Sequence, residues 1–342
     1  MTENILFICG SLNQTTQLHQ IAQHIPEYNC YFTPYYADGV EGLVAKTGLL
    51  NFTVLGGRHQ QDTRAYLKSQ SLPVDEQGQR HEYDLIITSS DLIIQKNIQR
   101  KRIVLVQEGI TEPERKLFKL YKMLPFLPRY IANTATSGLS NAYDIFCVAS
   151  QGYAEHFIRK GVRAEKIAVT GIPNFDHMQK NFENDFPMRG YILVATTPYR
   201  ETFRNDNRIG FLHKCGQIAA GRQLVFKLHP TENAERATRE IKSLFPQAVV
   251  LTSGNVNHMI AKADEVITQQ STCTFVSVAL GKVTHSDLDL SDLRRLMPIQ
   301  NGGLSAKYIA GISRRLLRTP MPMLEQIRKG YRARPRWDTD KV

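Results

Sequence analysis

Short apolar runs alternate with amphipathic segments along most of this 342-residue chain. The runs are apolar at consecutive positions, which is typical of parallel strands covered on both faces. Amphipathic segments such as Gln14–His24 and Gln151–Lys160 lie between the runs, and this order predicts a doubly wound α/β unit. In the first half the predicted strands are Asn4–Cys9, Cys30–Thr33, Leu50–Val54, Leu85–Thr88, Ile103–Val106, Ile145–Val148 and Ile167–Thr170.

The alternation stops after Thr170 and starts again at Tyr191, across a polar, turn-rich stretch. The predicted strands of the second half are Tyr191–Ala195, Leu224–Leu228, Ala248–Leu251 and Glu265–Thr268. We therefore predict a Rossmann-like domain over 1–172, a linker over 173–190, a second Rossmann-like domain over 191–304, and a C-terminal helix with a basic tail over 305–342. Two such halves with a helix crossing back to the first describe the GT-B architecture, although the periodicity also fits a dehydrogenase or a periplasmic-type binding protein.

Net charge, cysteine count and the lengths of the apolar runs limit the classes of function that this chain can have, but they do not select one class. The formal charge of +11 favours polyanionic partners, namely nucleic acid, anionic lipid or phosphate-bearing substrates. The five scattered cysteines form no CxxC pair, and the aspartates between Asp287 and Asp292 lack the central glycine of a calcium loop, so we expect no metal site and no metal cofactor. No apolar run reaches about 18 residues and the N-terminus lacks a basic start, so we expect a cytoplasmic protein.

Polar residues follow several predicted strands, where open α/β sheets bind their ligands. Ile103–Val106 leads into Gln107, Glu108 and Gly109, and a carboxylate there suits a general base or nucleophile, the alternative being a turn or helix-capping role. Leu224–Leu228 includes Lys227 and leads into His229 and Pro230, which suits phosphate binding. An ordinary structural histidine is the alternative for His229.

The third candidate is the hydroxyl-rich turn after Glu265–Thr268. Gln270, Ser271 and Thr272 lie between that strand and a predicted helix, where free backbone amides favour phosphate binding, although serine and threonine are also ordinary helix caps. Two further turns are expected to border the same cleft. The turn after Tyr191–Ala195 contains Thr196 and Thr197, which are candidates to contact phosphate or sugar, and Arg200, which is a candidate to pair with an anion. The turn after Asn4–Cys9 contains Gly10 and Ser11.

Taken in order, Gln107-Glu108-Gly109, His229-Pro230 and Ser271-Thr272 resemble the motifs of GT-B glycosyltransferases of bacterial surface polysaccharides. More narrowly, the sequence resembles the CMP-sugar-dependent sialyltransferase and Kdo-transferase groups, with Gln107 in place of one acid. The resemblance implies Glu108 as the catalytic carboxylate in the acceptor-side domain, and His229, Ser271 and Thr272 as ligands of the donor phosphate. It implies transfer of a CMP-linked acid sugar, without metal, to lipopolysaccharide, capsule or another surface glycan.

Three other functions stay open. The segments 227–230 and 169–176 also resemble polymerases that transfer glycerol phosphate from CDP-glycerol, and the second segment resembles UDP-N-acetylglucosamine 2-epimerases. The alternatives are therefore a CDP-alcohol phosphotransferase, a UDP-sugar transferase or 2-epimerase-like enzyme, and a non-catalytic nucleic-acid-binding protein suggested by charge alone.

A basic amphipathic segment over 114–130 predicts peripheral contact with the anionic cytoplasmic face of an inner membrane. Arginines between Arg328 and Arg336, beside Trp337, would add electrostatic attraction. The alternative is an ordinary core helix and a solvated tail.

Overall fold

The computed structural model describes residues 2–39, 42, 55, 57–109, 118, 123, 129, 135–201 and 205–329. Within these ranges the chain divides into two compact units. The first contains residues 1–176 and 298–342, and the second contains residues 177–297. Each unit is built around one parallel sheet, as the consecutive apolar runs predict. The predicted strand Leu50–Val54 lies outside the described residues.

The first unit contains a six-stranded parallel sheet in the order β2-β1-β3-β4-β5-β6. Its strands are β1 (Asn4–Cys9), β2 (Asn29–Pro34), β3 (Leu85–Thr88), β4 (Arg102–Val106), β5 (Ile145–Val148) and β6 (Ile167–Val169). Its helices are α1 (Leu12–Ala22), α2 (Gly57–Ser69) and α3 (Gln151–Lys160). Because all six strands run in one direction, the turns that follow them lie along one edge of the sheet.

The second unit contains a five-stranded parallel sheet in the order β11-β10-β7-β8-β9. Its strands are β7 (Ile192–Ala195), β8 (Leu224–Lys227), β9 (Val249–Leu251), β10 (Glu265–Thr268) and β11 (Val283–His285). Its helices are α4 (Arg208–Ala219), α5 (Ala234–Leu244), α6 (Val256–Lys262), α7 (Cys273–Ala279) and α8 (Leu290–Leu296). The sequence pattern missed β11 because it is a half-exposed edge strand of three residues without an apolar run.

Local signals fix the helix ends where the structure needs sharp turns. Helix α3 begins after Ser150, whose Oγ accepts a hydrogen bond from Tyr153 N at 3.2 Å. It ends at Gly161, whose φ of 114° is a left-handed conformation that other residues adopt only under strain. The chain can then return at once towards β6, which keeps this βαβ unit short.

The last two described helices belong to the first unit. These helices, α9 (Ser305–Arg318) and α10 (Met321–Arg328), place Ile309, Leu316 and Leu324 in one apolar core with residues of the first sheet and α1. Burying a side chain of this size contributes about 1.5–3 kcal/mol. Helix α10 is also held by Arg328, which donates to both carboxylate oxygens of buried Asp144 at 2.7 and 2.9 Å.

The unit boundaries differ from the predicted 172, 190 and 304. Residues 173–176 and 298–304 belong to the first unit because Asp176 binds the returning chain. Its carboxylate accepts hydrogen bonds from Asn301 N at 2.5 Å and Ser305 N at 2.7 Å, while Asn301 Nδ2 donates to Thr170 O at 2.9 Å. A turn-rich sequence marks the end of a strand and does not show which core the following residues join.

Part of the predicted membrane-facing segment is engaged within the protein. Phe118 is buried against Ala135, and Arg129 lies 3.8 Å from an oxygen of Asp91 while donating to Leu92 O at 3.3 Å. Arg328 is likewise bound to Asp144. The other residues of 114–130, apart from the exposed Met123, and the tail beyond Lys329 lie outside the described residues. Across the described ranges, no helix combines the length and apolarity needed to cross a bilayer.

Candidate functional site

Glu108 follows β4 and is held by two side chains from the turn and helix that follow β1. One carboxylate oxygen accepts a hydrogen bond from Ser11 Oγ at 2.7 Å, and the other accepts one from Gln14 Nε2 at 2.7 Å. Asn13 Nδ2 also donates to the main-chain oxygen of Glu108 at 3.1 Å. Two donors of this kind restrict the orientation of the carboxylate. The sequence-predicted residues Ser11 and Glu108 are thus brought into direct contact.

Gly10 makes room for this arrangement. A Cβ atom on Gly10 would lie 1.8 Å from Oε1 of Gln14, far inside van der Waals contact. The Gly10 carbonyl accepts a hydrogen bond from Thr63 Oγ1 at 2.9 Å, so the turn itself is anchored. Gly10 therefore acts through Gln14, because only a glycine lets that side chain reach Glu108.

Gln107 differs from the cleft-lining position that we predicted. Its side chain is buried, its Oε1 accepts a hydrogen bond from Ala149 N at 2.9 Å, and its Nε2 donates to Gly109 O at 2.6 Å. It therefore joins the turns after β4 and β5, and it fixes the backbone on which Glu108 stands. An amide suits this task because it supplies both an acceptor and a donor, which an ionised carboxylate cannot do.

In the second unit, the turns after three neighbouring strands meet at one edge of the sheet. Strands β10, β7 and β8 are adjacent in that order. Ser271 follows β10, Thr196 follows β7, and His229 follows β8. His229 N lies 3.3 Å from Thr196 Oγ1, and Gln270 N donates to the hydroxyl of Tyr199 at 3.3 Å. The predicted residues of these three turns are therefore neighbours in space.

Glu232 anchors the turn that contains His229. Its carboxylate accepts hydrogen bonds from His229 N at 2.8 Å, from the hydroxyl of Thr196, and from Arg208 Nη1 at 3.2 Å. The side chains of Glu232 and Arg208 are both only 4% exposed, so the pair is shielded from solvent screening. The His229 backbone is thereby fixed against the turn after β7.

The His229 side chain is exposed on one side and hydrogen-bonded on the other. Its Nδ1 lies 2.9 Å from Thr231 Oγ1 and accepts from Thr231 N at 3.3 Å. Burial of part of the ring, helped by the positive charge of Lys227, lowers the pKa of His229 below its usual value. The ring is therefore favoured in its neutral form.

Lys227 and Arg200 do not occupy the anion-binding positions that we predicted. Lys227 Nζ is buried and donates to the carbonyl oxygens of Leu228 at 2.7 Å and Thr252 at 3.5 Å, and burial lowers its pKa. The Arg200 guanidinium pairs with Asp206 at 2.9 Å and Glu240 at 2.6 Å. The charge of Arg200 is balanced by carboxylates, and that of Lys227 is directed at backbone oxygens.

The hydroxyl-rich turn precedes helix α7. Ser271 Oγ accepts a hydrogen bond from Cys273 N at 3.2 Å, while the side chain of Thr272 makes no capping hydrogen bond to the helix. Thr272 and Gln270 are exposed and Ser271 is half-buried. Near them, Thr197 Oγ1 is a buried hydroxyl with no hydrogen-bond partner in the described part of the chain. These groups provide hydroxyls and an amide at the edge of the sheet where the turn with His229 also lies.

Sequence reasoning missed Gln14, Arg208 and Glu232. Gln14 had a signal, since Ser11-Leu12-Asn13-Gln14 matches the capping-box pattern in which a glutamine at this position turns back towards the helix start. Here Ser11 does cap α1, accepting from Gln14 N at 3.3 Å, but the Gln14 amide reaches Glu108. Glu232 had only its place three residues after His229, and Arg208 had no local signal because its partner is 24 residues away.

The solved structures that resemble this chain share its two-unit α/β architecture. A putative UDP-N-acetylglucosamine 2-epimerase from Listeria monocytogenes matches with a TM-score of 0.57 at 12% identity, covering 94% of this chain and 99% of that one. The enzyme from Neisseria meningitidis, bound to UDP-GlcNAc, matches with a TM-score of 0.52 at 12% identity, covering 90% and 99%. A variant of the wall teichoic acid polymerase TagF, soaked with CDPG, matches with a TM-score of 0.50 at 12% identity, covering 92% and 89%.

No protein-family model and no curated protein matches the sequence. At 12% identity the structural matches show the fold alone. The protein therefore has a GT-B type fold, with two units that each contain a parallel sheet, as predicted. Among these structures, UDP-GlcNAc is bound to the Neisseria meningitidis epimerase, and the TagF variant was soaked with CDPG.

Proposed function

We propose that this protein is an enzyme that acts on a nucleoside-diphosphate-linked sugar, with a UDP-sugar as the first candidate. Its second unit would bind the diphosphate and Glu108 would act as the acid or base. The observation that carries the proposal is the meeting of His229, Ser271 and the Thr196–Thr197 turn at the edge of β10, β7 and β8. The UDP-GlcNAc bound to a structural neighbour supports the donor class.

The donor that we propose differs from the one that the sequence resemblance favoured. None of the matched structures named above contains a CMP-linked acid sugar, whereas UDP-GlcNAc and CDPG occur among them. Both are ligands with two phosphate groups joined to a second group, so they require a larger anion site than a single phosphate does. The neutral donors around His229 and Ser271 suit this requirement better than Lys227 or Arg200, which are engaged elsewhere.

The chemistry follows from the charges that develop when the sugar leaves the nucleotide. Breaking the bond between the anomeric carbon and the phosphate oxygen places negative charge on the departing diphosphate. We assign His229 Nε2, Ser271, Thr272, Thr197 and the backbone amides before α7 to stabilise this charge, without a metal. Glu108 would then remove a proton from the acceptor hydroxyl in a transferase, or from the sugar itself in an epimerase.

A CDP-alcohol phosphotransferase is the second candidate, because the match to TagF covers most of both chains. In that reaction the bond that breaks lies between the two phosphates, and the phosphate stays with the transferred group. The same diphosphate site would serve, and Glu108 would activate the acceptor hydroxyl. The two candidates therefore differ in the product and not in the residues that we assign.

For a transferase we keep a surface glycan, lipopolysaccharide or capsule as the acceptor. Peripheral contact with an anionic membrane from the cytoplasmic side is part of the same proposal, supported by the formal charge of +11. Arg129 and Arg328 are excluded from this role by their internal partners. Co-sedimentation with anionic and with neutral vesicles tests the contact, and equal pelleting with both would contradict it.

The proposed function is tested by a thermal-shift screen followed by product analysis. The screen compares UDP-GlcNAc, CDP-glycerol, a CMP-linked acid sugar and the three free nucleotides, since a ligand that binds only the folded state raises Tm. Mass spectrometry then distinguishes the two transfers, because free UDP indicates sugar release or transfer, while CMP formed from CDP-glycerol indicates phosphotransfer. An epimer has the same mass as its substrate, so epimerisation is detected by NMR of the recovered nucleotide sugar. If no nucleotide raises Tm, the proposal is wrong.

A further inference from the structure

His229, Pro230, Thr231 and Glu232 form a closed four-residue turn directly after β8. Glu232 N donates to His229 O at 3.0 Å, and proline at the second position is well suited to such a turn because its φ is preset. The Glu232 carboxylate accepts from His229 N at 2.8 Å, so the first and last residues are joined twice. The backbone beneath the imidazole is therefore rigid.

Within this turn, Thr231 presents two donor groups to the same ring nitrogen. Its backbone N lies 3.3 Å from His229 Nδ1, and its Oγ1 lies 2.9 Å from the same atom. The turn fixes the position of the hydrogen on Thr231 N. Unlike a hydroxyl, a backbone amide nitrogen can only donate a hydrogen bond. A proton on Nδ1 would face that hydrogen directly, so the backbone favours Nδ1 as an acceptor.

We infer that Thr231 holds the His229 imidazole as the tautomer with its proton on Nε2, so that His229 serves the bound ligand as a neutral hydrogen-bond donor. The proton of a neutral imidazole has only two positions, and the turn disfavours the one on Nδ1. Among the described residues, Nε2 has no hydrogen-bond partner in the protein. This inference rests on the proposed function for the identity of the ligand, whereas the tautomer itself does not depend on it.

The tautomer limits what His229 can do in the reaction. A ring with its proton on Nε2 offers an N–H to a phosphate oxygen, but it has no lone pair on that nitrogen to accept a proton. His229 therefore cannot be the general base at this face of the ring, and that role is left to another group, which we assign to Glu108. A donor at Nε2 selects a ligand that places an acceptor oxygen at the edge of the second sheet, as a diphosphate would.

The charged groups around the ring are consistent with the neutral form. Lys227, on β8, disfavours a second positive charge, while Glu201 favours one. The carboxylate of Glu232 is occupied by Arg208, by the His229 backbone and by the Thr196 hydroxyl. Burial has the largest effect and lowers the pKa of His229.

The inference is tested by long-range ¹H–¹⁵N spectra of the histidine side chains in the ¹⁵N-labelled, full-length protein at about pH 8, above the usual histidine pKa of ~6.5. The spectrum of His229→Gln identifies the signals of His229 by their loss. We expect a pyridine-like Nδ1 and a pyrrole-like Nε2, with the Nε2–H tautomer in about tenfold excess, the ratio that one ordinary hydrogen bond supports. The reverse pattern, or an imidazolium pattern, would overturn the inference.

Two matched variants separate the role of the threonine hydroxyl from that of the backbone. Thr231→Ser keeps the hydroxyl and should give the wild-type spectrum, whereas Thr231→Val loses it and should raise the fraction of the Nδ1–H tautomer. An unchanged spectrum in Thr231→Val would overturn the part assigned to the hydroxyl. Addition of UDP-GlcNAc to the wild type is a separate arm: a shift of the Nε2 signal supports diphosphate binding, and no shift counts against the proposed ligand while leaving the tautomer result intact.

Discussion

A Cβ atom on Gly10 would lie 1.8 Å from Oε1 of Gln14, whose Nε2 donates to Glu108 at 2.7 Å. The glycine after β1 is therefore linked to the carboxylate after β4 through one amide side chain. Gly10 has an ordinary backbone conformation, since it is not among the glycines with positive φ, so alanine is excluded by contact and not by strain. This makes the position a clean test of how Glu108 is held.

We predict that Gly10→Ala displaces Gln14 and reduces turnover of the nucleotide-linked donor by about 10- to 100-fold, the loss expected for one hydrogen bond to a charged group. Steady-state kinetics on the screened donor measures the effect. In the double variant Gly10→Ala/Gln14→Ala the clash is gone, so the double variant should be no slower than Gln14→Ala alone. Independent, additive effects of the two substitutions would contradict the link.

Glu108→Gln keeps the shape of the side chain and removes its basicity. If Glu108 is the acid or base, turnover should fall by about 10²- to 10⁴-fold, while Tm and nucleotide affinity stay near wild type. Glu82→Gln is the matched control, because its side chain is 94% exposed and pairs with Lys101. Near-normal turnover in Glu108→Gln would remove Glu108 from the mechanism.

Glu232→Gln should destabilise the second unit. Within the described ranges, the substitution leaves the Arg208 guanidinium, itself 4% exposed, with the longer 3.7 Å approach to Glu240 as its remaining ion pair. Losing one partner of a buried ion pair costs about 3–5 kcal/mol. Urea unfolding measures the change. Glu76→Gln, which breaks an ion pair with Arg64 that is about half exposed, should cost no more than about 1 kcal/mol.

Lys166 makes stability depend on pH in the alkaline range. Its Nζ is buried and donates to Asn141 O at 2.6 Å and Tyr143 O at 2.7 Å, and burial lowers its pKa from 10.5 to about 8. Between these two values the unfolded chain binds the proton and the folded protein does not, so the free energy of unfolding rises with pH, by up to about 3 kcal/mol. The cost of burying the charge is present in full below about pH 8.

The measurement compares urea unfolding of the wild type and Lys166→Met across this pH window. Tyrosines and other lysines titrate nearby, so the difference between the two proteins isolates Lys166. The unfolding free energy of the wild type minus that of the variant should increase as the pH rises. The reason is that the wild type loses a buried charge that the variant never had. A difference that stays constant with pH would show that the pKa of Lys166 is not lowered in the folded protein.

The sequence pattern predicted most of the described strands because a parallel sheet buried on both faces requires consecutive apolar residues. It could not predict β11, since Val283–His285 is a half-exposed edge. The sequence pattern also failed for long side chains that can reach either a ligand or groups of the protein. Lys227 ends β8 and Arg200 lies in the turn after β7, but their partners are backbone oxygens and carboxylates set by the fold.

The candidate site was predictable to the extent that its residues follow strands directly. Glu108, His229 and Ser271 were found in this way, and Ser11 was found beside Glu108. The residues that hold them were not. Gln14 reaches Glu108 across 94 residues of sequence, and Glu232, although three residues from His229, also joins that turn to Thr196 across 36 residues. Contacts of that range depend on strand order, which an α/β alternation does not specify.

The central claim is that the edge of the second sheet binds a nucleoside diphosphate, and isothermal titration with UDP and CDP tests it most directly. We predict saturable binding of at least one of them to the wild type, and binding weakened by about tenfold or more in Ser271→Ala and in His229→Ala, whose side chains would meet the phosphates. Glu108→Gln should bind as the wild type does. Absence of binding, or equal affinity in the wild type, Ser271→Ala and His229→Ala, would contradict the account.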